Sequence, residues 1–261
     1  MINAIGSAAG LMVKRPLALL PIFFASLACV LISVFFQLRL LELFSEFINY
    51  SLEAQDLNAA VFFFTKQAAS ISYMLGLALA NSFLVLLFGV YYCRYAITVQ
   101  RKGSIGNALG FALKSSGNII ALLITMAIFL LAAISAGFFF IMLPLYNTFL
   151  YTTIIAVYCI IVFIFAMRLF MFALPALAKE ESNAKKAIKE SWAFTKKHFW
   201  QSLLLALIII FFIFAISAIA MLFLEKIDET LAVFSLWSVF DTILIAFCLG
   251  VLAIYYSKHA E

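Results

Sequence analysis

Gln201–Leu224, QSLLLALIIIFFIFAISAIAMLFL, runs for 24 residues without a charged side chain. A bilayer core about 30 Å thick is crossed by about 20 apolar residues in a helix. Hydrocarbon offers no water to an irregular backbone, so a run of this length reads as a transmembrane helix. Its two flanks differ. AKKAIKESWAFTKKHFW (Ala184–Trp200) precedes it and is rich in lysine, whereas EKIDE (Glu225–Glu229) follows it and is mostly acidic. Lys and Arg collect on the cytoplasmic side of membrane helices, so the segment carries its own orientation.

The same reading extends along the chain. Of 261 residues, 67% are apolar and 11% charged, with 30 phenylalanines, a balance foreign to a water-soluble domain. Further spans are expected at Pro16–Phe36, Ser70–Tyr92, Asn118–Met142, Thr152–Met171 and Leu231–Tyr256. The sequence therefore predicts an all-α integral membrane protein in which six helices form one transmembrane domain over residues 1–261. The amino-terminal apolar run is too long for a signal peptide and reads as the first span.

With these spans, one side receives fourteen cations: Lys14, Arg15, Arg94, Arg101, Lys102, Lys114, Arg168, Lys179, Lys185, Lys186, Lys189, Lys196, Lys197 and Lys258. The other keeps three, Arg39, Lys66 and Lys226, with Glu42, Glu46, Glu53, Asp56, Glu225, Asp228 and Glu229. This asymmetry predicts a multi-pass protein of the cell membrane with both termini cytoplasmic. Trp237 and Tyr73 fall at the expected outer edge, and Tyr91, Tyr92, Tyr255 and Tyr256 at the inner edge, as aromatic belts would. The net charge of +5 is thus explained by topology, and no nucleic-acid partner is expected.

An internal repeat follows. IGSAAGLMVKRP at Ile5 and IGNALGFALKSSG at Ile105 share Ile-Gly, Ala, Gly and Lys in register, and Ala184–Trp200 is a looser third copy. The even spans end alike in GVYYCRYA, to Ala96, and AIYYSKHA, to Ala260; FAMRLF around Arg168 keeps the basic residue. Candidate repeats are 1–103, 104–180 and 181–261. They predict three αα-hairpins, each preceded by a short amphipathic inner-leaflet helix. In the third entry, Ile188, Trp192, Thr195 and Phe199 share one stripe and Lys185, Lys189 and Lys196 another. Such a helix either lies in the membrane surface against anionic headgroups or is a basic loop helix that enforces orientation. Gln37–Ala69 reads as an amphipathic continuation of the first span or an interfacial helix. Asn49-Tyr50-Ser51 is a glycosylation sequon on the outer side.

The candidate sites are charged or polar groups in or near hydrocarbon. Asp241 lies roughly 7 Å below the outer surface at about 1.5 Å per residue. It is either a proton or cation site or a shallow residue bonded to Ser238, Ser235 or a neighbouring helix. Asn81 lies deeper and is explained by an interhelical hydrogen bond or, with Asp241, by a polar path. Arg94, Arg168 and Lys258 occupy one position in each repeat. They either converge to hold a lipid phosphate or snorkel outward. Lys185, Lys189, Trp192 and Lys196 form the candidate membrane-surface helix.

Catalytic signatures are missing: no Gly-x-Ser-x-Gly elbow, no phosphate loop, and no metal-ligand spacing around His198 or His259. Cys29, Cys93, Cys159 and Cys248 are unpaired in sequence and read as small buried hydrophobes. No metal, cofactor or enzyme activity is expected. Glu180-Glu181 lacks the intramembrane histidines a prenyl protease would need.

RLFMFALPALAKEESNAKKAIKESWAFTKKHFW (Arg168–Trp200) resembles the membrane domain of glycerophosphoryl diester phosphodiesterases and related uncharacterised prokaryotic six-span families. In that pattern a basic residue ends a span, a Pro-Ala-Leu segment leads to an acid, and an Ala-x-x-x-Ser-Trp helix enters the next span. Arg168, Pro175, Glu181, Ala187, Ser191 and Trp192 occupy those positions. The resemblance implies a membrane-embedding module and a role for phospholipid; no catalytic domain is expected in this chain. The leading expectation is a non-enzymatic module that binds or organises anionic lipid or serves a membrane-protein partner. The alternative is a small transporter or channel subunit with a polar path near Asp241 and Asn81.

Overall fold

Three short helices each lead into a long apolar one, and local chemistry sets the turns between them. The computed structural model describes residues 2–54, 65–99, 104–141, 148–179, 183–224 and 230–260. Helix α1 (Ile2–Lys14) ends before Pro16, which has no N–H to give; a 3-10 turn at Pro16–Leu19 then redirects the chain into α2 (Leu20–Ala54). Helix α3 (Ala68–Thr98) is followed by α4 (Ile105–Lys114). Ser104 caps α4, its hydroxyl accepting the Asn107 N–H at 3.2 Å. After Ser115 come α5 (Ser116–Ile141) and α6 (Thr148–Phe170). A one-turn helix α7 (Ala173–Leu177) precedes α8 (Ala184–Lys197), which Asn183 caps by accepting the Lys186 N–H at 2.8 Å. The chain turns at His198 into α9 (Phe199–Leu224) and ends with α10 (Thr230–His259). No strand occurs among the described residues.

Six helices are long and apolar enough to cross a membrane: Pro16–Glu46, Ala68–Thr98, Ser116–Gly137, Tyr151–Leu177, Phe199–Ala220 and Leu236–His259. This is an all-helical, multi-pass membrane protein. The expected spans are recovered, but α2, α3 and α10 run past the expected ends. The amphipathic stretch from Gln37 continues α2 without a break to Ala54. Arg39 pairs with Glu42 at 2.5 Å and donates to Ser70 Oγ at 2.7 Å, and Gln67 donates to Glu46 at 2.5 Å, tying the extension to the start of α3. Asp56, Arg101, Lys102, Glu180, Glu181, Glu225, Lys226, Asp228 and Glu229 lie outside the described residues, as do the side chains of Glu53 and the Asn49-Tyr50-Ser51 sequon.

Helices α2, α3 and α10 pack against one another and form the core with α7, which wedges against α3 and α10. Phe172, Ala176, Leu177 and Ala178 in and beside this wedge are fully buried. Gly89 permits the approach, since a Cβ there would stand 3.2 Å from Leu174 Cδ1. The other spans, α5, α6 and α9, keep most of their apolar surface exposed. Lipid tails are as apolar as leucine, so nothing drives such surface into the protein.

The short helices dock by small residues four or three apart, Ala4 and Ala8 on α1, Ala108 and Ala112 on α4, and Ala184, Ala187 and Ser191 on α8, all buried. Small side chains let helix axes approach closely. Helix α4 packs on α3, α8 on α6 and α7, and α1 on α10, so each even span meets the short helix that follows it and the last meets the first.

Candidate functional site

Span 1 presents Ser26, Cys29, Ser33 and Gln37 at helical spacing, a polar stripe in an otherwise apolar helix. Across from it stand Asn81 on α3 and Asp241 on α10. Together they line one cavity of about 430 Å³ whose apolar walls include Ile22, Val85, Phe88 and Trp237. The volume lies in the range of small-molecule sites. From Ile22 to Gln37 the lining spans about 22 Å along α2 at about 1.5 Å per residue.

The polar groups of this cavity are poorly satisfied within the protein. Ser26 is 3% exposed, yet its hydroxyl has no hydrogen-bond partner among the described residues, and neither does the buried Asn81 Oδ1. Asp241 forms no ion pair there. Ser238, a possible partner for Asp241, accepts through its backbone carbonyl from Thr242 Oγ1 at 2.7 Å. Cys29 Sγ donates to the Asn81 backbone carbonyl at 3.9 Å and ties α2 to α3. The structure thus brings Asp241 and Asn81 to one cavity.

At the end of the bundle that carries the termini, the core is a packed aromatic layer. Tyr91, Tyr92, Tyr255 and Tyr256, expected as an interfacial belt, are at most 2% exposed and belong to the protein core instead. Tyr91 donates to the Ala18 carbonyl at 3.0 Å, Tyr255 to Gln201 Oε1 at 2.6 Å and Tyr256 to Glu190 Oε2 at 3.0 Å. Phe172 stacks on Tyr256 at 5.9 Å and packs edge-on against Phe194 at 4.7 Å. Lys179 sits 4.8 Å over the Tyr256 ring. The pairing of each tyrosine hydroxyl explains why polar aromatics can be internal; Tyr92, whose hydroxyl has no partner among the described residues, is the exception.

The three cations expected at one position of each repeat have three different sets of neighbours. Arg94 lies 4.5 Å over the Phe111 ring and donates to the Ala178 carbonyl at 3.1 Å. Arg168 lies over Trp192 at 5.3 Å and Phe199 at 5.2 Å. Lys258 lines a groove with Lys14 and Arg15. On α8, Lys185, Lys189 and Lys196 are exposed, while Trp192 packs on Phe165 and Arg168. The buried face of α8 is its small face, with Phe194 and Thr195.

Sequence reading missed Ser26, Ser33, Gln37 and the seat of Cys29; their spacing in span 1 was the available signal. It also missed the approach of His198 and His259, whose rings lie 5.9 Å apart. Among the cysteines, Cys93 is buried, Cys29 and Cys248 are half-buried and Cys159 is exposed on α6, against the expectation that all four are internal. Among the described residues no cluster of three or more His, Cys, Asp or Glu stands ready for a metal.

No match was found among curated proteins or among solved structures. Residues 139–258, from the end of α5 to Lys258 and including the whole Arg168–Trp200 segment, match the family model described as the membrane domain of glycerophosphoryl diester phosphodiesterase.

Proposed function

We propose that this protein is a non-enzymatic membrane module that takes a small cation, or the cationic group of a larger solute, into the cavity between α2, α3 and α10, as a transporter or channel-type subunit does. The observation that carries the reading is the cavity itself, where Asp241 and Asn81 meet with Ser26 and Gln37. An uncompensated carboxylate inside the membrane costs free energy, and a cation that enters offsets that cost. Asn81 and Ser26 line the same cavity and add polar side chains to its wall. The aromatic layer of Tyr91, Phe172, Tyr255 and Tyr256 closes the opposite end of the bundle, so access is from the side away from the termini. The arrangement of fourteen cations against three supports cytoplasmic termini in a cell membrane and puts that access on the outside. The repeated sequences and the cyclic docking of the short helices support three hairpins built by triplication. Phosphodiesterase chemistry is not carried over from the family match.

Cys29 reports on the cavity without knowledge of the guest. In a chain with Cys93, Cys159 and Cys248 replaced by Ser, Ala and Ala, a positively charged methanethiosulfonate reagent should label Cys29 faster than a negatively charged one. Asp241→Asn should remove the preference. Equal rates for the two reagents before and after Asp241→Asn would refute a cation-selective cavity.

A further inference from the structure

The repeat relation exposes a junction that differs from its counterpart in both halves. Ile5-Gly6 aligns with Ile105-Gly106, so Leu11 stands where the second copy has Phe111, and Lys14 where it has Lys114. Tyr91-Tyr92-Cys93-Arg94 likewise aligns with Tyr255-Tyr256-Ser257-Lys258. At the α3–α4 junction the cation is spoken for, with Arg94 over Phe111 and donating to Ala178. At the α10–α1 junction the ring is gone and a flexible lysine replaces the guanidinium. Lys258 is exposed there, in a groove of about 780 Å³ shared with Gly6, Ser7, Gly10, Lys14 and Arg15. A Cβ on Gly6 or Gly10 would meet nothing within 4 Å, so the groove floor is open.

Three cations therefore face one groove with no carboxylate among the described residues that line it. Their mutual repulsion is relieved by an anion, and three Lys or Arg side chains suit the oxygens of a phosphate. Beside the groove, Val13, Leu17 and Leu20 are exposed at 82%, 68% and 47%, at the point where the chain enters its first span. A free phosphate has no use for those side chains, whereas acyl chains cover them. We propose that the groove between α1 and the end of α10 is a binding site for the phosphate of an anionic phospholipid, held by Lys14, Arg15 and Lys258 with its acyl chains along Val13 and Leu17. The site joins the two ends of the chain and is separate from the Asp241 cavity.

Native mass spectrometry of the detergent-purified protein, titrated with phosphatidylglycerol or phosphatidylcholine, tests this. Each Lys or Arg at an anionic lipid surface contributes on the order of fivefold. Replacing Lys14, Arg15 and Lys258 together with Gln should therefore lower phosphatidylglycerol binding by roughly a hundredfold. Replacing Lys66, Lys114 and Lys197 with Gln removes the same charge from exposed positions elsewhere and should leave binding unchanged. Leu11→Phe alone, which restores the ring of the second copy and leaves every charge in place, should also weaken binding. Size-exclusion profiles identify any variant that fails to fold, and Leu11→Phe then carries the test. Equal loss in the two triple variants would overturn the proposal, as would no loss in either. Displacement of phosphatidylglycerol by millimolar inorganic phosphate would show a soluble-anion site and overturn the lipid assignment.

Discussion

The hydroxyl of Ser191 on α8 accepts the backbone N–H of Phe172 at 3.2 Å, at the point where α6 has ended. The same hydroxyl donates to the Arg168 carbonyl at 3.1 Å. In an unbroken helix Phe172 N–H and Arg168 C=O would bond each other directly. Ser191 is inserted between them, a recognised cause of a sharp helix break. Pro175 makes the break necessary, because in an unbroken helix its ring would collide with the Met171 carbonyl and it has no N–H to return. One side chain thus joins the end of span 4, the buried Phe172 wedge and the docked α8.

Ser191→Ala leaves Phe172 N–H and Arg168 C=O without that bridge. An unsatisfied buried polar group costs about 1–3 kcal/mol. The thermal unfolding midpoint in detergent should fall, and tryptic cleavage at Lys185 and Lys189 should accelerate as α8 loosens. An unchanged midpoint and cleavage rate would show that the small face of α8 docks without the hydroxyl.

Gly250 faces the ring of Tyr92, with a hypothetical Cβ 3.3 Å from its Cε1 and 3.4 Å from Ala8 Cβ. Gly250→Val should press α10 away from both α3 and α1. Overpacking of this kind costs about 1–3 kcal/mol. The midpoint should drop, with Gly250→Ala intermediate because one methyl needs the neighbours to yield only slightly. A Gly250→Val protein as stable as the parent would show that the junction is loosely packed.

Asp241 places a carboxylate in the membrane without an ion pair among the described residues. Asp241→Leu should raise the midpoint of the ligand-free protein, since a carboxylate held in the membrane without an ion pair costs free energy that a leucine does not. Stability gained by neutralising a functional group is the usual trade-off. A lower midpoint would reveal that Asp241 has a structural partner.

Arg168 joins the end of α6 to Trp192 and Phe199 by its guanidinium plane. Arg168→Leu removes two cation–π contacts worth about 0.5–1 kcal/mol each, or more where desolvated. Acrylamide should quench the fluorescence of Trp192 more strongly in that variant, measured with Trp200 and Trp237 replaced by Phe. Arg168→Lys should restore only part of the protection, because an ammonium cannot stack flat on two rings. Identical quenching in all three proteins would exclude a role for the cation in seating Trp192.

Much of this molecule was legible in the chain itself. Gln201–Leu224 crosses hydrocarbon because nothing in it could pay for an exposed backbone or a charge, and each other span follows from the same local balance. Arg94, Arg168 and Lys258 could be picked out too, each as a cation at the end of an apolar run. Their neighbours were not, since whether a cation meets Phe111, Trp192 or an open groove depends on how helices dock. Likewise Asp241 and Asn81 stood out one by one as polar residues in apolar runs, but only the packing of α2, α3 and α10 made them walls of one cavity. The tyrosines of the aromatic layer show the same division. Sequence decides that a residue has both an apolar ring and a hydroxyl; only tertiary structure decides whether that hydroxyl finds lipid headgroups or, as Tyr91 does with Ala18, a carbonyl of its own chain. Crossing the membrane is a property of consecutive residues, whereas a site is a meeting of residues far apart in the chain, and that meeting is set by packing between helices.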